Sequence, residues 1–173
     1  SLADCSTTSD QENDKAIPVL SRLENEADVS QNKTYAQSNL MKLYYNKKDY
    51  PNSGIYAEKV LMNPKADDNV KSDAQIIIAR AAIETGDEAK AKVAYAKVLA
   101  IAKGELAAEA LYYDAYFKNK EGKFEASNAA VQKIAKNYSS YKYFGAKGLI
   151  LMAKNFYGLK DSYQAYKRIS FER

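Results

Sequence analysis

The stretch that decides the fold is AIETGDEAKAKVAYAKVL, residues 82–99. A helical pattern of small and apolar residues ends at Gly86-Asp87, and a second one begins at once. Glycine often ends a helix because it readily adopts a left-handed backbone, and aspartate often begins one because its carboxylate accepts hydrogen bonds from free N–H groups. The stretch therefore predicts two antiparallel helices joined by a very short turn.

The same break recurs along the chain. Related segments are NKKDYPNSGIYAEKVL at 46–61, NKEGKFEASNAAVQKI at 119–134 and YGLKDSYQAYKRI at 157–169, with a half copy, DKAIPVLSRL, at 14–23. A small residue follows each turn, at Ala16, Ser53, Ala91, Ser127 and Ala165, so the intervals are 37, 38, 36 and 38 residues. A near-constant period of this size is typical of stacked helical hairpins.

Four other amphipathic stretches alternate with these segments and supply the first helix of each pair, at 34–47, 71–85, 105–120 and 141–157. Thr34-x-x-Gln37 and Ser72-x-x-Gln75 are predicted as capping boxes that begin two of them. Together with the half copy, the pattern predicts an all-α fold of about nine antiparallel helices.

The string IARAAIETGDEAKAKVAYAKVL (78–99) resembles the tetratricopeptide repeat (TPR), and ALYYDAYFKNKEGKFEAS (110–127) and AKGLILMAKNFYGLKDSYQA (146–165) resemble TPR regions of Bacteroidetes-type envelope proteins. The resemblance implies a right-handed α-α superhelix, a TPR-like solenoid, over residues 14–173. Its parts are a half repeat at 14–31 and repeats at about 32–69, 70–104, 105–140 and 141–173, after a flexible linker at 1–13.

The residue content excludes several kinds of chemistry. The 173 residues include no histidine and one cysteine, Cys5, so histidine-based catalysis and an intrachain disulfide are excluded. Gly145 and Gly148 lie in a helical pattern without the Gly-Lys-Ser/Thr string of a phosphate-binding loop, which favours helix packing. We expect no enzymatic activity, no cofactor and no metal.

Charge is unevenly distributed along the chain. Residues 1–28 carry 2 basic and 7 acidic side chains, a net −5, whereas residues 118–173 carry 12 basic and 4 acidic, a net +8. This asymmetry suggests end-to-end self-association as one use of the chain. Arginine is scarce and no nucleic-acid-binding motif is present, so we expect no nucleic-acid partner. No apolar run approaches the ~18 residues of a transmembrane helix, so we expect no membrane insertion.

The resemblance also implies a binding site. In TPR proteins the first helix of each pair lines a concave groove that holds a peptide. The corresponding residues here are Tyr35, Lys42, Tyr45 and Asn46, then Asp73, Arg80 and Glu84, then Glu109, Tyr112, Tyr116 and Asn119, and finally Lys147, Lys154 and Tyr157.

These observations favour a protein–protein interaction scaffold without catalysis, whose protein or peptide partner the sequence does not identify. One alternative is a carbohydrate-binding module, because tyrosine rings stack on sugars. Another is a self-assembling structural repeat. The resemblance implies a bacterial periplasmic or outer-membrane-associated location, with the cytoplasm as the alternative.

The small residue after each turn gives a first prediction. Ala91→Leu places a large side chain where two helices cross, and overpacking costs roughly 1–3 kcal/mol. Lys90→Leu, one residue away, introduces the same leucine side chain outside the crossing, where a large side chain is already present. We expect urea unfolding to show a clearly lower free energy of unfolding for Ala91→Leu than for Lys90→Leu, and equal values would contradict the predicted register.

Overall fold

A computed structural model describes the backbone of residues 2–26 and 30–171, and the side chains of residues 12–26 and 31–163. The regular secondary structure of this part of the chain is entirely α-helical, and it contains no strand. Its eight helices are α1 (Leu2–Glu26), α2 (Ser30–Asn46), α3 (Tyr50–Met62), α4 (Asp68–Glu84), α5 (Glu88–Ile101), α6 (Gly104–Lys120), α7 (Phe124–Asn137) and α8 (Lys142–Phe171).

The predicted all-α class is confirmed, but several boundaries differ from the predictions. Helix α1 begins at Leu2, so most of the stretch 1–13, predicted as a linker, is helical. Helix α8 runs without interruption through the predicted turn at 157–161, which leaves eight described helices instead of nine.

The two predicted capping boxes are wrong. Helix α2 begins at Ser30, four residues before Thr34, and helix α4 begins at Asp68. The Asp67 carboxylate caps α4 by accepting a hydrogen bond of 2.9 Å from the Val70 N–H. An aspartate is a strong cap, and here it starts the helix five residues before Ser72.

Three turns between paired helices share one geometry. Each centres on a residue with a left-handed backbone, Lys48 (φ 60°), Gly86 (φ 75°) or Gly122 (φ 73°). The N–H of the next residue then donates a 2.9 Å hydrogen bond to the carbonyl five residues earlier, as Asp87 does to Ala82. This is the pattern of a Schellman motif, which satisfies the free carbonyls at a helix end. The predicted sharp break at Gly86-Asp87 is confirmed.

The small residues after these turns are buried where helices meet. Ser53, Ala91 and Ser127 have no exposed surface. The Ser53 hydroxyl donates to the Met41 carbonyl at 3.1 Å, and the Ser127 hydroxyl donates to the Ala115 carbonyl at 2.7 Å, in both cases twelve residues back. Of the two other predicted anchors, Ala16 is half-buried, and the side chain of Ala165 lies outside the described residues.

The chain divides into two compact units, residues 1–94 and 95–173. In unit 1, α1 packs on α2, α2 on α3 and α3 on α4, and α2 also contacts α4. The core of unit 1 includes Met41, Ala57, Val60, Ala66, Ala74 and Ile77. In unit 2, α6 packs on α7, α7 on α8 and α6 on α8. Its core includes Ala115, Ala130, Val131 and Leu151.

Helix α8 approaches α7 closely at two glycines. A Cβ built on Gly148 would lie 3.0 Å from a Val131 methyl carbon, and one built on Gly158 would lie 2.4 Å from the Phe124 ring. The Phe124 ring therefore occupies the space that a side chain at position 158 would need. The expected use of Gly148 in helix packing is confirmed, whereas a Cβ at Gly145 would meet nothing within 4 Å.

This contrast predicts opposite effects for two substitutions in one helix. Gly158→Ala would push the Phe124 ring off α8, and overpacking of this kind costs roughly 1–3 kcal/mol. Gly145→Ala has free space and gains helix propensity, so it would stabilise by roughly 0.5–1 kcal/mol. The free energy of unfolding from urea titrations of both variants tests the packing, and a stabilised Gly158→Ala variant would contradict it.

Candidate functional site

The first helices of successive pairs lie side by side within each unit. Helix α2 contacts α4 in unit 1, and α6 contacts α8 in unit 2. These four helices carry the fourteen residues predicted to line a groove, so each unit offers one candidate face. We describe the two faces separately.

In unit 1, an ion pair joins the two first helices. The Lys42 ammonium on α2 lies 2.7 Å from the Asp73 carboxylate on α4, and about half of each side chain is exposed. An exposed pair of this kind contributes only about 0–1 kcal/mol to stability. Its clearer consequence is that it places both charge signs at a defined position on the surface.

Aromatic residues lie at the end of α2. The half-buried Tyr45 ring packs on the unit 1 core and meets the Tyr50 ring edge-on, with 5.8 Å between centroids. Desolvation and the Glu84 carboxylate, which accepts a hydrogen bond from the hydroxyl, raise the pKa of Tyr50. Of the other predicted residues in unit 1, Tyr35 and Asn46 are exposed on α2, and Arg80 is half-buried on α4.

In unit 2, three tyrosine rings lie around a lysine, and a fourth tyrosine packs against one of them. The Lys147 ammonium on α8 lies 4.4 Å from the Tyr112 ring centroid, 5.2 Å from that of Tyr143 and 5.6 Å from that of Tyr113. Tyr116 lies against Tyr113 edge-on at 6.0 Å. We call these four tyrosines and Lys147 the tyrosine cluster. Cations are attracted to aromatic ring faces, so Lys147 fixes the ring arrangement.

The inner side of the cluster is fixed by a buried hydrogen bond. The Tyr113 ring stacks on Tyr95 with centroids 4.1 Å apart, and the Tyr95 hydroxyl donates to the Glu109 carboxylate at 2.8 Å. Burial, with the negative charge of Glu109 next in importance, raises the pKa of Tyr113 to about 12. Burial also raises the pKa of Tyr112. Both phenols therefore stay neutral over a wider pH range than an ordinary tyrosine, whose pKa is 10.0.

Two of the residues predicted to line the groove make hydrogen bonds within unit 2 instead. Glu109 is only 3% exposed, so the structure places it in the interior and not on a binding face. Asn119 is half-buried and donates to the side-chain oxygen of Asn155 at 2.7 Å. The Asn155 amide in turn donates to the hydroxyl of Ser127 and to the side-chain oxygen of Asn128. This network joins α6, α7 and α8.

The remaining predicted residues, Lys154 and Tyr157, are exposed on α8. Tyr157 is 73% exposed, which makes it one of the most accessible aromatic residues described. The structure therefore brings Tyr112, Tyr116 and Lys147 together in one cluster, and leaves Lys154 and Tyr157 farther along the same helix.

A polar cleft in unit 1 was not predicted from the sequence. It has a volume of about 580 Å³ and is lined by Glu24, Asn25, Lys33, Gln37, Lys59, Met62, Asn63 and Pro64. The buried Glu24 carboxylate accepts from the Lys59 ammonium at 2.8 Å and from the Gln37 amide at 3.0 Å. These bonds connect α1, α2 and α3 through one carboxylate.

Other residues at the candidate faces were also missed. Tyr113 and Tyr143 complete the tyrosine cluster, and Tyr113 recurs at helical spacing with Glu109 and Phe117, which could have marked it as an inward residue. No sequence signal links Glu24 to Lys59, because they are 35 residues apart on different helices.

Comparison of the chain with protein-family models, with curated proteins and with solved structures finds no match. The likeness to the tetratricopeptide repeat therefore depends on the residues and turns described above. Within the described residues, no helix combines the length and the apolar content needed to cross a membrane.

Glu24 predicts a specific response to acid. Burial raises the pKa of its carboxyl, but hydrogen bonds from Lys59 and Gln37 outweigh burial, and the net pKa is lowered below 4.5. The unfolded chain then takes up the proton first, so stability from Glu24 is present above pH 4.5 and is lost as pH falls through the folded-state pKa. At pH 7, we expect Glu24→Gln to lower the free energy of unfolding by about 1–3 kcal/mol.

The matched control is Glu58→Gln, an exposed glutamate on α3. Urea unfolding from pH 7 to pH 3 is expected to show the deficit of Glu24→Gln shrinking with acid, while Glu58→Gln follows the native protein throughout. A Glu24→Gln deficit that stays constant over this range would show that the carboxylate charge contributes nothing.

Proposed function

We propose that the chain is a TPR-like solenoid that binds a peptide or protein partner through the faces of its first helices and has no catalytic activity. The observation that carries this proposal is the side-by-side placement of first helices within each unit. It produces a surface in which charges and half-buried tyrosines lie next to each other. Tyrosine gives a large contact area at low entropic cost, which suits protein recognition.

The tyrosine cluster is the stronger of the two faces. Its rings are held by packing on Tyr95 and by Lys147, so little ordering is required when a partner binds. Preorganised side chains lose less entropy on association, which favours affinity. The neutral hydroxyls add hydrogen-bond donors, and Lys147 adds a positive charge for an acidic or carbonyl group of the partner.

The right-handed superhelix, the repeats at about 32–69, 70–104 and 105–140 and a bacterial periplasmic or outer-membrane-associated location belong to the same proposal. The predicted fourth repeat, 141–173, has the continuous helix α8 in place of a helix pair. The superhelix and the three repeats are supported by the three similar turns and by the 36- and 38-residue spacing of the buried anchors. The location is supported by the resemblance alone.

Selection from a random peptide library tests the proposal. We expect enriched peptides to bind the native chain with micromolar affinity by calorimetry, and to bind Lys147→Met about tenfold more weakly, a change of about 1.4 kcal/mol. Methionine keeps the length of the side chain and removes its charge. Lys133→Met on α7, an exposed lysine on a second helix of unit 2, is the control and should bind as the native chain does.

Two outcomes would contradict the proposal. If no peptide is enriched while soluble glycans raise the melting temperature, the tyrosines serve carbohydrate binding. If enriched peptides bind Lys147→Met and Lys133→Met equally well, the tyrosine cluster is not the site. Circular dichroism of each variant verifies that the fold is retained.

A further inference from the structure

The side of α8 opposite its packed face is apolar and exposed. Phe144, Gly148, Leu151 and Asn155 are buried on the packed side. On the other side, four large side chains are each more than half exposed, namely Leu149, Ile150, Phe156 and Tyr157. Single exposed hydrophobic residues are ordinary, but several aligned on one helix indicate a docking surface.

The spacing of these residues is that of a helix-binding surface. Ile150 and Tyr157 are seven residues apart, and so are Leu149 and Phe156. Seven residues make about two turns, so each pair lies in one row along the helix. Between the two rows lie the exposed alanines Ala146 and Ala153, also seven residues apart. We call these six residues the apolar strip.

The alanines give the strip its shape. Small side chains at the centre allow another helix backbone to approach, while the larger residues on both sides can pack around it, as in knobs-into-holes packing. On each of the other helices, at most two large hydrophobic residues with described side chains are exposed, such as Val19 on α1 and Ile55 on α3. The alignment is therefore particular to α8.

The charges around the strip distinguish between occupants. Over residues 142–163, α8 carries Lys142, Lys154 and Lys160, in addition to Lys147 of the tyrosine cluster, against one acidic residue, Asp161. A second copy of α8 lying on the strip would bring basic residues together and would be repelled. A helix with acidic flanks would be attracted, because complementary charges favour association and select the partner.

We propose that the apolar strip of α8 binds an acidic amphipathic helix of a partner protein. The helix would present apolar residues at seven-residue spacing to the strip, and Asp or Glu on its flanks to Lys142, Lys154 and Lys160. From Ala146 to Tyr157 the strip is about 17 Å long, which matches about three helical turns. The inference rests on the proposed scaffold function, but it uses a face distinct from the tyrosine cluster.

The test uses two synthetic helical peptides with identical apolar positions, one with Glu flanks and one with Lys flanks, each labelled with fluorescein. Fluorescence anisotropy is expected to show micromolar binding of the Glu peptide and binding at least about tenfold weaker for the Lys peptide. Affinity for the Glu peptide should fall as salt is raised, because salt screens exposed charges.

Two variants with a matched control locate the site. Ile150→Ser/Phe156→Ser should weaken binding of the Glu peptide about tenfold or more, since it removes both rows of the strip. Val19→Ser/Ile55→Ser removes two exposed hydrophobic residues elsewhere and should leave binding unchanged. Lys154→Glu/Lys160→Glu should reverse the preference, so that the Lys peptide binds better.

Three results would overturn the proposal. These are no binding of either peptide, equal binding of both, and self-association in sedimentation that Ile150→Ser/Phe156→Ser abolishes, which would make a second copy the occupant. Failure here is separable from failure of the tyrosine-cluster site, because Lys147→Met affects library peptides bound at the cluster, whereas Ile150→Ser/Phe156→Ser does not alter the cluster.

Discussion

The left-handed residue between paired helices is the constraint on which the rest of the structure depends. At Lys48, Gly86 and Gly122, one residue with positive φ reverses the chain, and the small residue five positions later then lies at the crossing of the two helices. In a lysine this backbone costs roughly 1–2 kcal/mol. Near Lys48, the Asp49 cap and the buried hydrogen bond of Ser53 offset that cost.

This constraint explains which parts of the fold could be predicted. Turns and buried anchors are local features that recur, so their period is visible in one sequence, and Ser53, Ala91 and Ser127 are buried as the period predicts. Helix starts were less predictable because several residues near one start can act as the N-cap, as Asp67 and Ser72 could for α4. Thr34 has the capping-box spacing, but it lies inside α2 and its hydroxyl accepts a hydrogen bond from Asn63, 29 residues away. Pairings over such distances leave no local pattern.

The candidate faces were predictable by helix but not by residue. A first helix packs on its own partner and on the neighbouring first helix, so only a narrow sector reaches solvent. Successive residues turn by about 100°, and a small error in register moves a side chain from that sector into the interior. Glu109 lies in the interior for this reason, while Tyr112, three residues on, contributes to the tyrosine cluster. Tyr113 was missed because half-buried positions resemble core positions in sequence.

Helix α8 shows what happens where the turn is absent. A turn at 157–161, the break that the sequence predicts within α8, would require Lys160 to adopt the left-handed backbone. The continuous helix avoids that energetic cost. It also keeps Gly158 in contact with the Phe124 ring. A first helix in the earlier pairs is covered on one side by its own second helix. Because α8 does not turn back, the corresponding apolar side chains of α8 remain exposed.

The free energy available at this surface is modest. Complete burial of one large apolar side chain contributes about 1.5–3 kcal/mol, and the four large residues of the strip are each more than half exposed. Their joint burial is worth on the order of 5 kcal/mol before the entropic cost of association is subtracted. Apolar contact alone therefore supports weak binding, and in the proposed complex the lysines along α8 would supply both the additional affinity and the preference for an acidic partner.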